Sequence, residues 1–378
     1  MAAVPTALII GGGIGGLTVA GAFQKTGITT RVVESGRRSD RLGTGISLLG
    51  NALRALDQLG LADRCIEAGQ GFDRVCNYDA AGHLLNDYRP PRSFRQDRPG
   101  AFGILRPVLS DILESEAVRA GAKIDYSTTV SRIRQVDGRP VLVELSTGET
   151  IEAPLVVAAD GAYSSTRRMV FGDGFQPVYS GQGVWRYTAP RPETMDGLVF
   201  YRSAHGAVLG GIPLSRTACY YFILENARER PRFDEASFPS FFKERMAPFS
   251  APELTAATAL INTDSAINFR PLDALLMPSP WHQGRVVLLG DAAHSLTPQL
   301  TSGGGMAIED AVVLAYEVAR APDVGTALRA YDARRIPRVK GIYETSLAIC
   351  KIEQAGQQTS DLSMALLRKG HELLAGPF

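Results

Sequence analysis

The sequence predicts an α/β protein: a doubly wound, largely parallel domain, interrupted by a mainly antiparallel β-sheet and closed by C-terminal helices. Three observations predict it. An apolar strand enters a helix through a run of glycines at Ala7-Leu-Ile-Ile-Gly11-Gly12-Gly13-Ile14-Gly15-Gly16-Leu17. Two further apolar strands, Leu155 to Asp160 and Arg285 to Asp291, end in an acid, where open α/β sheets bind ligands. Between about 178 and 270 the pattern turns to short aromatic strands without long helices between them.

With 378 residues the chain is long enough for roughly two domains. Its 45% hydrophobic and 21% charged residues are those of an ordinary soluble globular protein. The net charge of +1 supplies no global field toward nucleic acid or an anionic membrane, so neither partner is expected. Cys65, Cys76, Cys219 and Cys350 are far apart and form no C-x-x-C pair; no metal and no disulfide framework is expected, only reduced thiols in the cytoplasm. No charged side chain precedes Lys25, yet a signal peptide would need a basic start and a membrane helix would have to absorb the glycines.

Taken in order, the glycine run fits G-x-G-x-x-G as Gly11, Gly13 and Gly16. Gly11 would make the tight turn, Gly13 would let backbone approach a pyrophosphate, and Gly16 would let helix pack on strand. Ile14 and Gly15 complete the helix start. The next strand, Thr30 to Glu34, ends in an acid about 20 residues after Gly11, the spacing of a ribose-binding carboxylate in a Rossmann-like unit. A basic loop from Arg37 to Gly45 leads through Ile46-Ser47-Leu-Leu to a helix over Ala52 to Leu59. Val75 to Asp79 and His83 to Tyr88 read as a hairpin, followed by a Pro/Arg-rich loop. Helical patterning begins at Leu105-Arg106-Pro107, and strands follow at Lys123 to Tyr126, Val130 to Gln135, Val141 to Leu145 and Leu155 to Ala159. The aromatic segment offers five strand candidates, at 184–187, 198–201, 207–209, 212–213 and 219–224, then a short helix over Ser237 to Phe249. Helices are expected from Gly305 through Val318, over Tyr331 to Gln358, and in the tail to Phe378. The nucleotide-binding domain is therefore expected to comprise 1–72, 99–176 and 271–345, the substrate domain 73–98 and 177–270, and a C-terminal helical segment 346–378.

Three strand-end motifs stand together: the Gly11 fingerprint, Asp160-Gly161-Ala-Tyr-Ser164-Ser-Thr-Arg167, and Gly290-Asp291-Ala-Ala-His294-Ser-Leu-Thr-Pro298. With Gly305-Met306-Ala-Ile-Glu309-Asp310-Ala, the combination resembles the single-component class A flavoprotein monooxygenases of the para-hydroxybenzoate hydroxylase fold. Salicylate hydroxylase-like and FAD-dependent urate hydroxylase-like members are the most similar, through Gly-Asp-Ala-Ala-His-Ser and Glu-Asp-Ala-Val-Val-Leu. The resemblance covers nearly the whole chain and implies a Rossmann-like FAD-binding domain carrying an inserted substrate domain. It implies that Glu34 holds the adenosine ribose beside Ser35, that Gly45 and Ser47 lie near the phosphate and ribityl chain, that Arg106 binds the cofactor, and that Val130 meets adenine through its backbone. Asp160 is implied in FAD and nicotinamide nucleotide binding, Arg167 in structure, and Asp291 in accepting from ribityl hydroxyls. Pro298, Gly303, Gly304, Gly305 and Met306 would bring backbone and a helix N-terminus to the flavin ring. His294 is placed in the cofactor turn, as a structural hydrogen-bonding group rather than a base.

The implied activity is hydroxylation of a small phenolic or N-heteroaromatic compound through a flavin C4a-hydroperoxide, with NADPH or NADH as transient co-substrate and O2 as oxidant. No second dinucleotide fingerprint offers the nicotinamide nucleotide a site of its own. On the substrate side, period-2 alternation puts Tyr220 and Phe222 on one face and Tyr221 on the other, so Tyr220 is the first pocket candidate. Arg186, in a Trp-Arg pair, could bind a substrate carboxylate or serve the fold, and His205 is a third candidate. The sequence departs from the family pattern at Thr301-Ser302-Gly303, where many relatives have Gly-Gln-Gly. Two departures argue against urate: Gln299 replaces the acid after the proline, and the expected pocket base falls near Ala207-Val208. A flavin halogenase is disfavoured, because Trp185 and Trp281 are far apart and W-x-W-x-I-P is missing. A flavin-bearing sensor without turnover is the alternative of a different class. A monomer or homodimer is expected.

Overall fold

A computed structural model of the chain describes residues 6–40, 44–89, 92–203, 206–357 and 360–378. The first βαβ unit is β1 (Thr6–Ile10), α1 (Ile14–Lys25) and β2 (Thr29–Val33). Four of the five β1 residues are buried because the strand is covered on both faces, and α1 is buried along nearly its whole middle between flanking helices. Next come β3 (Gly45–Leu49), α2 (Gly50–Gln58), α3 (Ala62–Ala68), β4 (Gln70–Phe72), and the hairpin β5 (Val75–Asp79) and β6 (Leu84–Tyr88). β7 (Ala101–Leu105) runs directly into α4 (Arg106–Arg119), with Pro107 in the first turn where its missing N–H costs nothing. β8 (Lys123–Asp125) returns to the parallel sheet, and β9 (Val130–Arg134), β10 (Val141–Leu145) and β11 (Thr150–Ala153) form an antiparallel meander. β12 (Val156–Ala158) then pairs with β1, before α5 (Ser165–Phe171).

The long aromatic strands follow: β13 (Val178–Pro190), β14 (Leu198–Arg202), β15 (Val208–Pro213) and β16 (Ala218–Asn226). α6 (Phe238–Met246) and α7 (Pro252–Ala259) cover one face of them, and β17 (Ile267–Leu276) returns beside β13. The chain closes with β18 (His282–Gln283), β19 (Val286–Leu288), β20 (His294–Ser295), α8 (Gly303–Arg320), α9 (Val324–Gln354) and α10 (Asp361–Ala375).

Two sheets organise the molecule. In one, the order is β18-β19-β12-β1-β2-β8, parallel except at its β18 edge. The carboxyl ends of β1, β12 and β19 therefore lie side by side, which brings the glycine turn, Asp160 and Asp291 to one edge. In the other, the order is β20-β17-β13-β16-β15-β14-β5-β6, antiparallel except between β14 and β5. Trp185, Tyr187, Tyr221 and Ile223 face α6 and α7 in one aromatic core, so the alternate residues face the parallel domain.

Several expectations are corrected. The candidates at 207–209 and 212–213 are one strand, β15: Gly210 and Gly211 between them make room for neighbouring side chains, since a Cβ on Gly210 would lie 2.1 Å from the Phe222 ring. Leu105 ends a strand rather than beginning the helix. β4, β11, α7 and β17 carried no recognised signal. The expected division at 270 falls within β17, and that at 345 within α9.

Candidate functional site

The glycine turn has the geometry that each glycine permits. Gly11 takes φ +106°, and a Cβ there would stand 2.3 Å from the carbonyl oxygen of Ala159, just beyond β12. A Cβ on Gly16 would lie 1.9 Å from the Gly11 carbonyl oxygen, whereas one on Gly13 would point into open space. α1 begins at this turn with no side chain capping its N-terminus. Its first N–H groups thus converge on the cleft with the positive end of the helix dipole. Glu34, just beyond β2, accepts from the Gly12 N–H at 2.6 Å and the Gly36 N–H at 2.7 Å, and the Ser35 hydroxyl lies beside it.

A cleft of about 400 Å³ opens from this turn. Along one wall lie Gly45 and Ser47 of β3, Arg106 at the start of α4, and Gly290 and Asp291 beyond β19. Among the described residues, no ion pair or side-chain hydrogen bond satisfies either the Arg106 guanidinium or the Asp291 carboxylate. Asp291 is open to the cleft yet ringed by protein. Burial pushes its carboxyl above the ordinary value, against the pull of His294 and Arg106. Pro298 and the N-terminus of α8 close this wall. α8 also starts without a side-chain cap, Gly303 faces open space, and the buried Ser302 hydroxyl has no partner among the described residues.

The opposite wall is the second sheet. Val184 and Arg186 of β13, Tyr220, Phe222 and Leu224 of β16, Ile212 of β15 and Leu272 of β17 face the cleft, as alternation requires. Tyr221 points the other way into the aromatic core. Burial raises the Tyr220 hydroxyl against the influence of Arg186 and Arg106, so it stays protonated near neutral pH.

Beneath the cleft is a buried ionic network that the sequence did not announce. Asp310 accepts from the Gly290 N–H at 3.0 Å, from His294 Nε2 at 2.6 Å and from Arg335 Nε at 2.7 Å. Glu309 pairs with Arg335 at 2.7 Å and Arg338 at 2.8 Å, and accepts from Asn51. Gly290 has φ +60°, so the network fixes the turn that presents Asp291. Arg167 is fully buried and donates to the carbonyls of Ala162, Phe175 and Ala292, a structural part.

Of the expected cofactor residues, Gly13, Ile14, Gly15, Gly45, Ser47 and Arg106 line the cleft. So do Asp291, Pro298, Gly303 and Gly304 and, of the substrate candidates, Arg186 and Tyr220. Gly11 and Gly16 shape the turn beneath it, and Glu34 and Ser35 stand beyond its end. Gly305 and Met306 lie deeper in α8, with Met306 buried. Val130 buries its side chain with Val141 and Val143. The Asp160 carboxylate is taken up by Ser164, Ser165 and Thr166 at the start of α5, and its neighbours Ala159 and Gly161 line the cleft instead. His205 lies outside the described residues. Among the described residues there is no His/Cys/Asp/Glu group placed to hold a metal, and no helix long and apolar enough to cross a membrane. All four cysteines are free and buried.

These residues fit FAD. Two uncapped helix N-termini suit a pyrophosphate and an electron-rich ring, the unpaired Arg106 suits an anion, and the unpaired Asp291 suits hydroxyl donors.

The family described as FAD binding domain matches residues 4–346. The 2-heptyl-3-hydroxy-4(1H)-quinolone synthase of Pseudomonas aeruginosa is 33% identical over 92% of this chain and 90% of its own length. The 3-hydroxybenzoate 6-hydroxylase 1 of Aquipseudomonas alcaligenes is 28% identical over 88% of this chain and 85% of its own. In fold, the chain matches the crystal structure of Klebsiella pneumoniae HpxO complexed with FAD and uric acid, with a TM-score of 0.86, 24% identity, and coverage of 100% and 98% of the two chains.

Proposed function

Because this chain belongs to the FAD-binding family of class A flavoprotein monooxygenases and is an FAD-dependent monooxygenase, we propose that it hydroxylates a small phenolic or N-heteroaromatic compound, drawing its reducing equivalents from NADH or NADPH. The observation that carries this reading is the single cleft in which the glycine turn, Arg106, Asp291 and the α8 N-terminus face the Tyr220 and Phe222 wall.

The chemistry supplied by bound FAD is transfer of one atom of O2 to an electron-rich ring after reduction, the other leaving as water. The chain's own groups do the rest. The α1 N-terminus and Arg106 would hold the pyrophosphate, Glu34 the adenosine ribose and Asp291 the ribityl hydroxyls. The first N–H groups of α8 would lie toward the flavin ring, and the positive end of the helix dipole would favour negative charge there. Phe222, Ile212, Leu224 and Leu272 exclude water from the transfer. The Tyr220 hydroxyl, kept protonated by its surroundings, is placed to hydrogen-bond a substituent of the substrate ring. Domain roles follow: the parallel sheet carries the cofactor and the eight-stranded sheet the substrate.

A panel of phenols, aminobenzoates, hydroxypyridines and purines, scored for stimulated NADH and NADPH consumption with product identification, tests the proposal. A hydroxylated product from at least one compound is expected. Binding without stimulated turnover across the panel would favour a sensor, and halide-dependent product a halogenase.

A further inference from the structure

Arg186 is the cation of the substrate wall, and nothing in the described protein answers its charge. Its side chain lines the cleft half-buried, without a hydrogen bond, ion pair or ring contact. Its neighbours are apolar or aromatic: Phe222 lies opposite it on β16, and Val184 precedes it on the same face of β13. Burial pulls its pKa down to about 10, with Tyr220 pulling the other way and Arg106 and Arg270 adding repulsion. A guanidinium nonetheless stays charged, so the cleft holds a desolvated cation in search of an anion.

A second cation stands at the rim. Arg270 of β17 pairs across the sheet with Val184 and so faces the same side, exposed and also without a partner among the described residues. Among the described residues, the only acid lining the cleft is Asp291, on the cofactor wall. The substrate wall therefore offers an aromatic surface, one neutral hydroxyl and two unmatched positive charges.

Resting on the hydroxylase reading above, we propose that the substrate is an aromatic anion whose carboxylate is bound by Arg186, with Arg270 drawing it in from the rim. A planar guanidinium presents a fork of N–H donors that matches a carboxylate, and an apolar wall strengthens such a pair. A neutral quinolone or purine would leave Arg186 buried and unanswered. Among the chemistries of the relatives, the site thus favours that of a hydroxybenzoate over that of a neutral heterocycle.

The test uses the FAD-loaded full chain and the visible flavin spectrum as a binding readout that needs no turnover. Hydroxybenzoates and aminobenzoates are titrated alongside their neutral carboxamides. At least one carboxylate is expected to bind tenfold or more tightly than its amide. Arg186→Met is expected to weaken that carboxylate by roughly 30-fold or more, Arg186→Lys to restore part of the loss, and amide and FAD affinities to stay within about threefold of wild type. Arg270→Gln is expected to slow carboxylate association at low salt, with little effect at high salt. Equal binding of acid and amide, or undiminished carboxylate binding by Arg186→Met, overturns the proposal. So does loss of FAD affinity in that variant, which would give Arg186 to the cofactor. Carboxylate-selective binding without any hydroxylated product would uphold the anion site while the hydroxylase reading failed.

Discussion

Asp310→Asn replaces one atom of a buried carboxylate and has no good way to accommodate it. One carboxylate oxygen accepts from Arg335 Nε at 2.7 Å; the other accepts from the Gly290 N–H at 3.0 Å and His294 Nε2 at 2.6 Å. Whichever way the amide turns, its NH2 meets a donor. His294 can relieve its own clash by moving its proton to Nδ1, which has no partner now, but the Gly290 N–H and Arg335 cannot. The variant also leaves Arg335, fully buried, with Glu309 as its one remaining carboxylate. Breaking a buried pair of this kind costs about 3–5 kcal/mol. Since Gly290 precedes Asp291, FAD affinity should fall together with stability.

The effect carries a pH signature. Burial alone would raise the Asp310 carboxyl, but His294 and Arg335 outweigh it and hold it at about 2, below the ordinary 3.8. A lowered folded-state pKa adds stability that is complete above pH 3.8 and is lost as pH falls toward about 2. Urea unfolding of the apoproteins should show the full deficit of Asp310→Asn at pH 6, narrowing as the pH is taken below 4. A variant within about 1 kcal/mol of wild type at pH 6, far short of the buried-pair penalty, would refute the role given to this network.

Further consequences follow from the same geometry. Gly16→Ala sets a methyl 1.9 Å from the Gly11 carbonyl oxygen, and overpacking of that kind should cost about 1–3 kcal/mol of stability and weaken FAD binding, measured by fluorescence titration of apoprotein. Arg106→Gln should leave the fold intact, because its side chain pairs with nothing in the described protein, yet lower FAD affinity by roughly 1.5–3 kcal/mol; equal affinity would remove Arg106 from the cofactor site. Burial pushes the thiols of Cys65 and Cys219 up to about 12 and that of Cys350 up to about 11. A thiol reagent at pH 8 should therefore react slowly with native protein and with all four cysteines in denaturant; rapid native labelling would contradict the packing.

What the sequence disclosed was local. Gly11 and Gly16 are demanded by contacts within one strand-turn-helix, so their spacing carries the shape of the turn. The alternation of Tyr220, Tyr221 and Phe222 is likewise a property of one strand, and the structure places Tyr220 and Phe222 on the cleft face and Tyr221 in the aromatic core. The ionic network was hidden because its members come from α2, α8, α9 and β20 and from the turn after β19, and nothing local in the sequence joins Arg335 and Arg338 to Glu309 and Asp310. Glu309 and Asp310 stood in a motif without a stated function until the fold brought Arg335 to both. β17 was missed because its apolar residues are interrupted by Arg270, Pro271 and Asp273, each of which has a place only once β13 lies beside it. β7 was missed as well, and the reason for Gly103 within it is not local: a Cβ there would stand 2.1 Å from the Pro213 carbonyl oxygen.

Oxygen labelling tests most directly whether this cleft joins a reduced cofactor to an aromatic ring. With the aromatic compound that best stimulates NAD(P)H consumption, turnover under ¹⁸O2 in ordinary water should give a product heavier by one labelled atom. Turnover under ordinary O2 in H2¹⁸O should leave the incorporated atom unlabelled. Label arriving from water, or NAD(P)H oxidation that yields only hydrogen peroxide with every compound tried, would contradict the account.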